Sequence, residues 1–161
     1  MIGIFGAGVV GSRVAESLSL NLQTEIGVFD SSQIIAQRLA RRLHLTNSNI
    51  SAVDENIINS SKVVVIAGSS PHTEIARAFL EKRISVVSTS DDIADCLNLL
   101  ALSDLAITNG VTLIVGSTSS PGMSALLARS LSKKFDEIDE VHVALHGTGG
   151  PSCARQHHRA L

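Results

Sequence analysis

The residues with the clearest chemical meaning open the chain, in Ile2-Gly3-Ile4-Phe5-Gly6-Ala7-Gly8-Val9-Val10-Gly11. An apolar run enters glycines spaced G-x-G-x-x-G, and a helical pattern follows. That spacing suits a diphosphate bridge. Gly6 permits a tight turn, Gly8 lets phosphate oxygens approach the backbone, and Gly11 lets the helix pack closely on the strand. Anions are favoured at such a helix start, because its first N–H groups lack intrahelical acceptors and its peptide dipoles align. Ala7, Val9 and Val10 contribute amides to the same turn. Asp30 ends the next apolar run, Glu25-Ile26-Gly27-Val28-Phe29, 19 residues beyond Gly11. A carboxylate there can accept hydrogen bonds from the hydroxyls of an adenosine ribose. G-x-G-x-x-G alone is a cheap pattern that also arises as a plain connecting turn. The strand before it, the helix after it and the acidic residue that answers it favour a dinucleotide.

Further small and polar residues follow later apolar runs: Ala67-Gly68-Ser69-Ser70, Ser88-Thr89, and the stretch Gly116 to Gly122. Turn chemistry explains any one of them. Together they fit the loops of a cofactor crevice, with Ala67, Gly68 and Ser69 along the middle of the dinucleotide. Ser88 and Thr89 would approach the nicotinamide ribose, and Pro121-Gly122 the nicotinamide. Asp30 followed by Ser31 and Ser32 favours NAD, since an acidic group repels a 2′-phosphate. Arg38 lies a helical turn or two further on and keeps NADP as the alternative. His142, His146, Cys153, Arg155, His157, His158 and Arg159 gather near the end of the chain. His and Cys are zinc-ligand types, but the glycine-proline segment between His146 and Cys153 fixes little, so no metal site is expected. An anion clamp by Arg155 with a histidine as acid or base is a second reading, and a basic chain end is the preferred one. No catalytic residue is assigned.

The elements that must hold these residues alternate between strand and helix, the pattern of a doubly wound parallel α/β sheet with helices on both faces. The reading places strands at Ile2–Phe5, Glu25–Phe29, Ile50–Val53, Lys62–Ala67, Ile84–Val87 and Thr112–Val115. Lys62-Val63-Val64-Val65-Ile66-Ala67 is β-branched and apolar throughout, as a strand covered on both sides should be. Helices are expected from about Val9 to Leu20, through Ile34, Ile35, Leu39 and Leu43, and from Pro71 to Lys82. An interrupted helix spans Ile93 to Thr108, and a last one runs from Met123 to Phe135. Pro71 suits a first helical turn, where its missing N–H costs nothing. Arg38, Arg41 and Arg42 read as a solvated face. From Asp136 the pattern changes. Val141, Val143 and Leu145 alternate with polar neighbours like a half-buried strand, the opening of a second, incomplete domain over residues 136–161. Those apolar residues need a cover, so self-association is expected.

The 161 residues are 44% hydrophobic and 17% charged, with net charge −2, so no basic excess suggests nucleic acid. Trp and Tyr are absent, which removes the aromatic platforms of single-strand binders. Apolar runs stay short of membrane-spanning length. The first strand begins at Ile2, which leaves no room for a leader, and the two distant cysteines suit a reducing compartment. A cytoplasmic protein is expected.

Over residues 1–135 the chain resembles the nucleotide-binding domain of the saccharopine dehydrogenase-like family. Besides the glycine turn, the resemblance rests on Leu102-Ser103-Asp104-Leu105-Ala106 and on Gly110-Val111-Thr112-Leu113-Ile114-Val115-Gly116. Pro121-Gly122-Met123 and Leu126-Leu127-Ala128 complete it. Homoserine dehydrogenase and dihydrodipicolinate reductase domains share this architecture. The resemblance implies an NAD(P)-dependent oxidoreductase, with hydride transfer to or from an amino-acid-like or imine substrate. The substrate domain that follows in that family is nearly absent here, so turnover would require completion of the substrate site. A dinucleotide- or redox-sensing module without turnover, or a fragment, is the alternative.

Overall fold

A computed structural model describes residues 1–46, 49–120, 122–144 and 146. Its elements alternate as β1 (Ile2–Phe5), α1 (Val9–Asn21), β2 (Ile26–Phe29), α2 (Gln33–His44), β3 (Ile50–Ala52) and α3 (Glu55–Ile58). Then come β4 (Val63–Ile66), α4 (Thr73–Glu81), β5 (Ser85–Ser88), α5 (Ile93–Leu100), α6 (Ser103–Asn109), β6 (Leu113–Ile114) and α7 (Met123–Ser132). All the strands pair in parallel, in the order β3-β2-β1-β4-β5-β6. This is the Rossmann arrangement. The order reverses between β1 and β4, whose register sets Gly3 beside Val64 and Phe5 beside Ile66.

Successive strand residues point to opposite faces, and each face has its own core. On one, Ile4, Ile26 and Val28 meet Ala15 of α1 and Ala36, Leu39 and Leu43 of α2. On the other, Val64, Ile66 and Val86 meet Ala76, Phe79 and Leu80 of α4, Leu99 of α5 and Ala106 of α6. Each fully buried Ile or Leu contributes about 2 kcal/mol. Phe5 joins β1 to β2 and α4 through ring contacts with Phe29 at 4.8 Å and Phe79 at 5.9 Å. Asp54 caps α3 by accepting from the Ile57 amide, and Asp92 caps α5 through the Asp95 amide, each at 2.8 Å. Gly110, at φ 67°, ends α6 in the left-handed region.

Several expectations change. Pro71 lies outside the helix: the Ser70–Pro71 bond is cis, His72 is the N-cap and α4 begins at Thr73. The start is fixed there because a distant carboxylate takes the His72 and Thr73 amides. Ile34 and Ile35 are exposed, because α2 turns Ala36, Leu39, Ala40 and Leu43 inward, and its two alanines let it approach the sheet closely. The short helix α3 was not among the expected helices. The last helix ends at Ser132 and buries none of its residues. Val141–Ala144 form no strand, and Val141 and Val143 are exposed: no strand edge meets them among the described residues. Leu145 lies outside those residues. The interruption between Ile93 and Thr108 is real, with Ala101 and Leu102 separating α5 from α6.

Candidate functional site

Because the strands are parallel, their carboxyl ends share one edge of the sheet. The candidate crevice is the part of that edge where the order reverses between β1 and β4, the place where open α/β sheets bind ligands. The three fingerprint glycines stand in different surroundings. Gly6 has φ 108°, and a Cβ on it would lie 2.7 Å from the Gly68 amide nitrogen. A Cβ on Gly11 would collide with the Gly6 carbonyl oxygen. The fold itself therefore requires both. Gly8 is different: a Cβ there meets nothing within 4 Å, and the residue is exposed. It is also the N-cap of α1, where no side chain caps the helix. Val9 and Val10 follow with exposed side chains, and first-turn amides have no intrahelical acceptor.

Asp30 braces this turn. Its Oδ2 accepts from the Ala7 amide and its Oδ1 from the Ser32 amide, both at 2.8 Å. Each carboxylate oxygen keeps a second lone pair for another donor. Ser31 is exposed beside it, and Ser32 is the N-cap of α2 without using its own hydroxyl. Arg38, Arg41 and Arg42 are exposed, as a solvated face should be.

The loops after β4 and β5 are built from side chains. Ala67 is buried, Gly68 and Ser69 are exposed, and a Cβ on Gly68 would meet nothing within 4 Å. Ser70 and Ser90 join these loops hydroxyl to hydroxyl at 2.7 Å. Ser88 is fully buried, its hydroxyl 2.9 Å from His72 Nδ1 and accepting from the Ser90 amide at 3.2 Å. Thr89 donates its hydroxyl to the Ile66 carbonyl at 3.0 Å. The Ser88 and Thr89 hydroxyls are thus engaged in the frame of the crevice. The β6 end joins through the Ser117 amide, which donates to the Ser88 carbonyl at 3.0 Å.

His72 and Asp95 organise this region, and neither was among the candidate site residues. His72 is fully buried, with Nε2 3.2 Å from the Gly68 carbonyl. Asp95 reaches from α5 to cap α4, accepting from the His72 amide at 2.8 Å, the Thr73 amide at 3.1 Å and the Thr73 hydroxyl at 2.6 Å. Helical spacing carried the signal. Ala76, Phe79 and Leu80 follow His72 at i+4, i+7 and i+8, and Leu99 and Leu102 follow Asp95 at i+4 and i+7, so both polar residues begin buried stripes. Burial lowers the His72 pKa despite the opposing pull of the Gly68 carbonyl, Asp95 and Asp91. Burial acts to raise that of Asp95, but hydrogen bonds from Thr73, Ser90 and the His72 amide outweigh it and hold the carboxyl below its ordinary range. Cys96 donates to the Ser90 carbonyl at 3.3 Å, and burial with Asp95 and Asp92 nearby pushes its thiol up, which makes it a poor nucleophile.

Of the histidines near the end of the chain, His142 and His146 are among the described residues. His142 pairs with Glu140 at 2.8 Å, both exposed, while Pro121, Cys153, Arg155, His157, His158 and Arg159 lie outside those residues. Among the described residues, no cluster of three or more His, Cys, Asp or Glu could hold a metal, and no helix is long and apolar enough to cross a membrane.

No family model matches this chain, and no curated protein matches it. Solved structures do. Quinate dehydrogenase from Corynebacterium glutamicum, in complex with NAD, is 24% identical at TM-score 0.55, covering 72% of this chain and 44% of that one. GenD2 from gentamicin A biosynthesis, in complex with NAD, is 17% identical at TM-score 0.66, covering 88% and 41%. Apo saccharopine dehydrogenase (L-Glu forming) from Saccharomyces cerevisiae is 19% identical at TM-score 0.66, covering 83% and 30%. The chain thus spans 30 to 44% of the length of these proteins. At these identities the likeness establishes a shared Rossmann fold.

Proposed function

We propose that this chain binds NAD as the nucleotide domain of an oxidoreductase. The carrying observation is Gly8. Gly6 and Gly11 lack side chains because protein atoms fill that space, but the space beside Gly8 is empty. The fold leaves its bareness unexplained, and a diphosphate lying against the uncapped start of α1 explains it. Gly6, Ala7, Gly8, Val9, Val10 and Gly11 would hold the diphosphate. Asp30 and Ser31 would take the adenosine ribose, while Ala67, Gly68 and Ser69 would line the middle of the cofactor. Ser88 and Thr89 would support the nicotinamide side through the backbone they fix. Bound NAD would supply hydride chemistry. The presence of NAD in two of the similar structures supports the assignment.

The finer reading is a saccharopine dehydrogenase-like domain over residues 1–135, acting on an amino-acid-like or imine substrate. The residues from Leu102 to Ala128 that resemble that family support it, and the yeast enzyme shares the fold over 83% of this chain. Titration of the chain with NADH and NADPH, followed by cofactor fluorescence, tests the assignment. Saturable sub-millimolar NADH binding is expected, tighter than NADPH, and Asp30→Ala should weaken NADH about tenfold while narrowing that preference. Absence of saturation at millimolar NADH would refute it.

A further inference from the structure

We infer that His72 is a positioning residue for the cofactor crevice, its imidazole locking the backbone at Gly68 against the end of β5. This rests on the NAD reading above. Gly68 sits beside the glycine turn, since a Cβ on Gly6 would touch its amide nitrogen, and its own Cβ direction is open. Its front is therefore bare backbone, while from behind its carbonyl faces His72 Nε2 at 3.2 Å.

The partners fix the tautomer. A carbonyl only accepts, so Nε2 carries the proton and donates to Gly68, and Nδ1 accepts from the Ser88 hydroxyl at 2.9 Å. The Ser88 oxygen in turn accepts from the Ser90 amide. A relay thus runs from the Ser90 amide through Ser88 and His72 to the Gly68 carbonyl, joining the β5 loop to the β4 loop. Asp95 anchors the imidazole by holding the His72 amide, and Thr73 secures Asp95. The charged groups near the ring are Asp95 on α5 and Asp91 in the loop before it, while Glu74 on α4 is exposed. The His72 and Ser88 side chains are fully buried, so neither can act as a general acid or base on a ligand, and the relay ends on the Gly68 carbonyl.

Three substitutions separate positioning from packing. Gln places an amide N–H near the Nε2 position and keeps the Gly68 bond, Asn reaches only Ser88, and Phe keeps the volume and loses both bonds. NADH affinity and thermal midpoint are measured for the 161-residue chain and for His72→Gln, His72→Asn and His72→Phe. Gln is expected to bind within about threefold of wild type, and Asn and Phe about tenfold more weakly at temperatures where all are folded. Nitrogen NMR of the wild-type imidazole gives a readout that needs no variant: a neutral ring protonated at Nε2 at pH 7. Asn and Phe variants that lose stability but bind NADH like wild type would overturn the inference, as would a proton on Nδ1. A wild-type chain that fails to bind NADH would overturn the NAD reading and this inference together. Binding by wild type with no discrimination among the variants would overturn this inference alone.

Discussion

After β1 the crevice wall is backbone, with Gly6 and Gly11 bare to admit neighbouring protein and Gly8 bare toward open space. After β4 and β5 the wall is held by side chains, with His72, Ser88, Asp95 and Thr73 buried or half-buried and bonded to one another. The first region gains its shape from residues that have been stripped down. The second gains it from polar groups whose burial is tolerable only because each is paired. The two regions should therefore fail differently. Damage to the glycine turn at Gly8 should cost ligand and leave the fold intact, while damage to the polar loops should cost fold as well.

Asp95→Ala should give the largest stability loss. It leaves the His72 and Thr73 amides and the Thr73 hydroxyl without their acceptor, which costs about 3 kcal/mol. For a chain of this size that is a drop of about 10 °C in thermal midpoint, read by calorimetry or circular dichroism. An unchanged midpoint would mean that the polar loops are not a structural unit. A smaller effect needs no change in Asp95. The folded chain resists a proton on His72 and the unfolded chain does not, so the histidine contributes stability above about pH 6.5 that is lost as pH falls through its lowered folded pKa. Urea unfolding should show a decline of at most about 1.4 kcal/mol per pH unit from this one group below pH 6.5, and His72→Phe should flatten it. A decline of equal size in that variant would assign the acid sensitivity elsewhere.

The same contrast explains what could be read from the sequence. The glycine turn was legible because its chemistry is local: glycines at fixed spacing, a strand before and a helix after. The strands were legible because runs such as Val63–Ile66 have no other stable place than a sheet covered on both faces. The His72–Asp95 capping link was not, because its partners lie 23 residues apart and meet only through the packing of α4 on α5. Pro71 was misplaced for the same reason, since the helix start is set by a carboxylate from another element. Ile34 and Ile35 misled because apolar spacing alone does not say which of two overlapping stripes the sheet accepts. Small residues settled it, with Ala36 and Ala40 allowing the closer fit.

The central claim is that Gly8 is bare for a diphosphate, and the most direct test pairs NADH affinity with thermal midpoint in Gly8→Val. A Cβ there meets no atom within 4 Å beyond its chain neighbours, so the midpoint should fall only by the few degrees that a poor N-cap residue costs. NADH affinity should fall about a hundredfold or more, because the side chain takes the volume the phosphates need. A folded Gly8→Val variant that binds NADH as tightly as wild type would contradict the account.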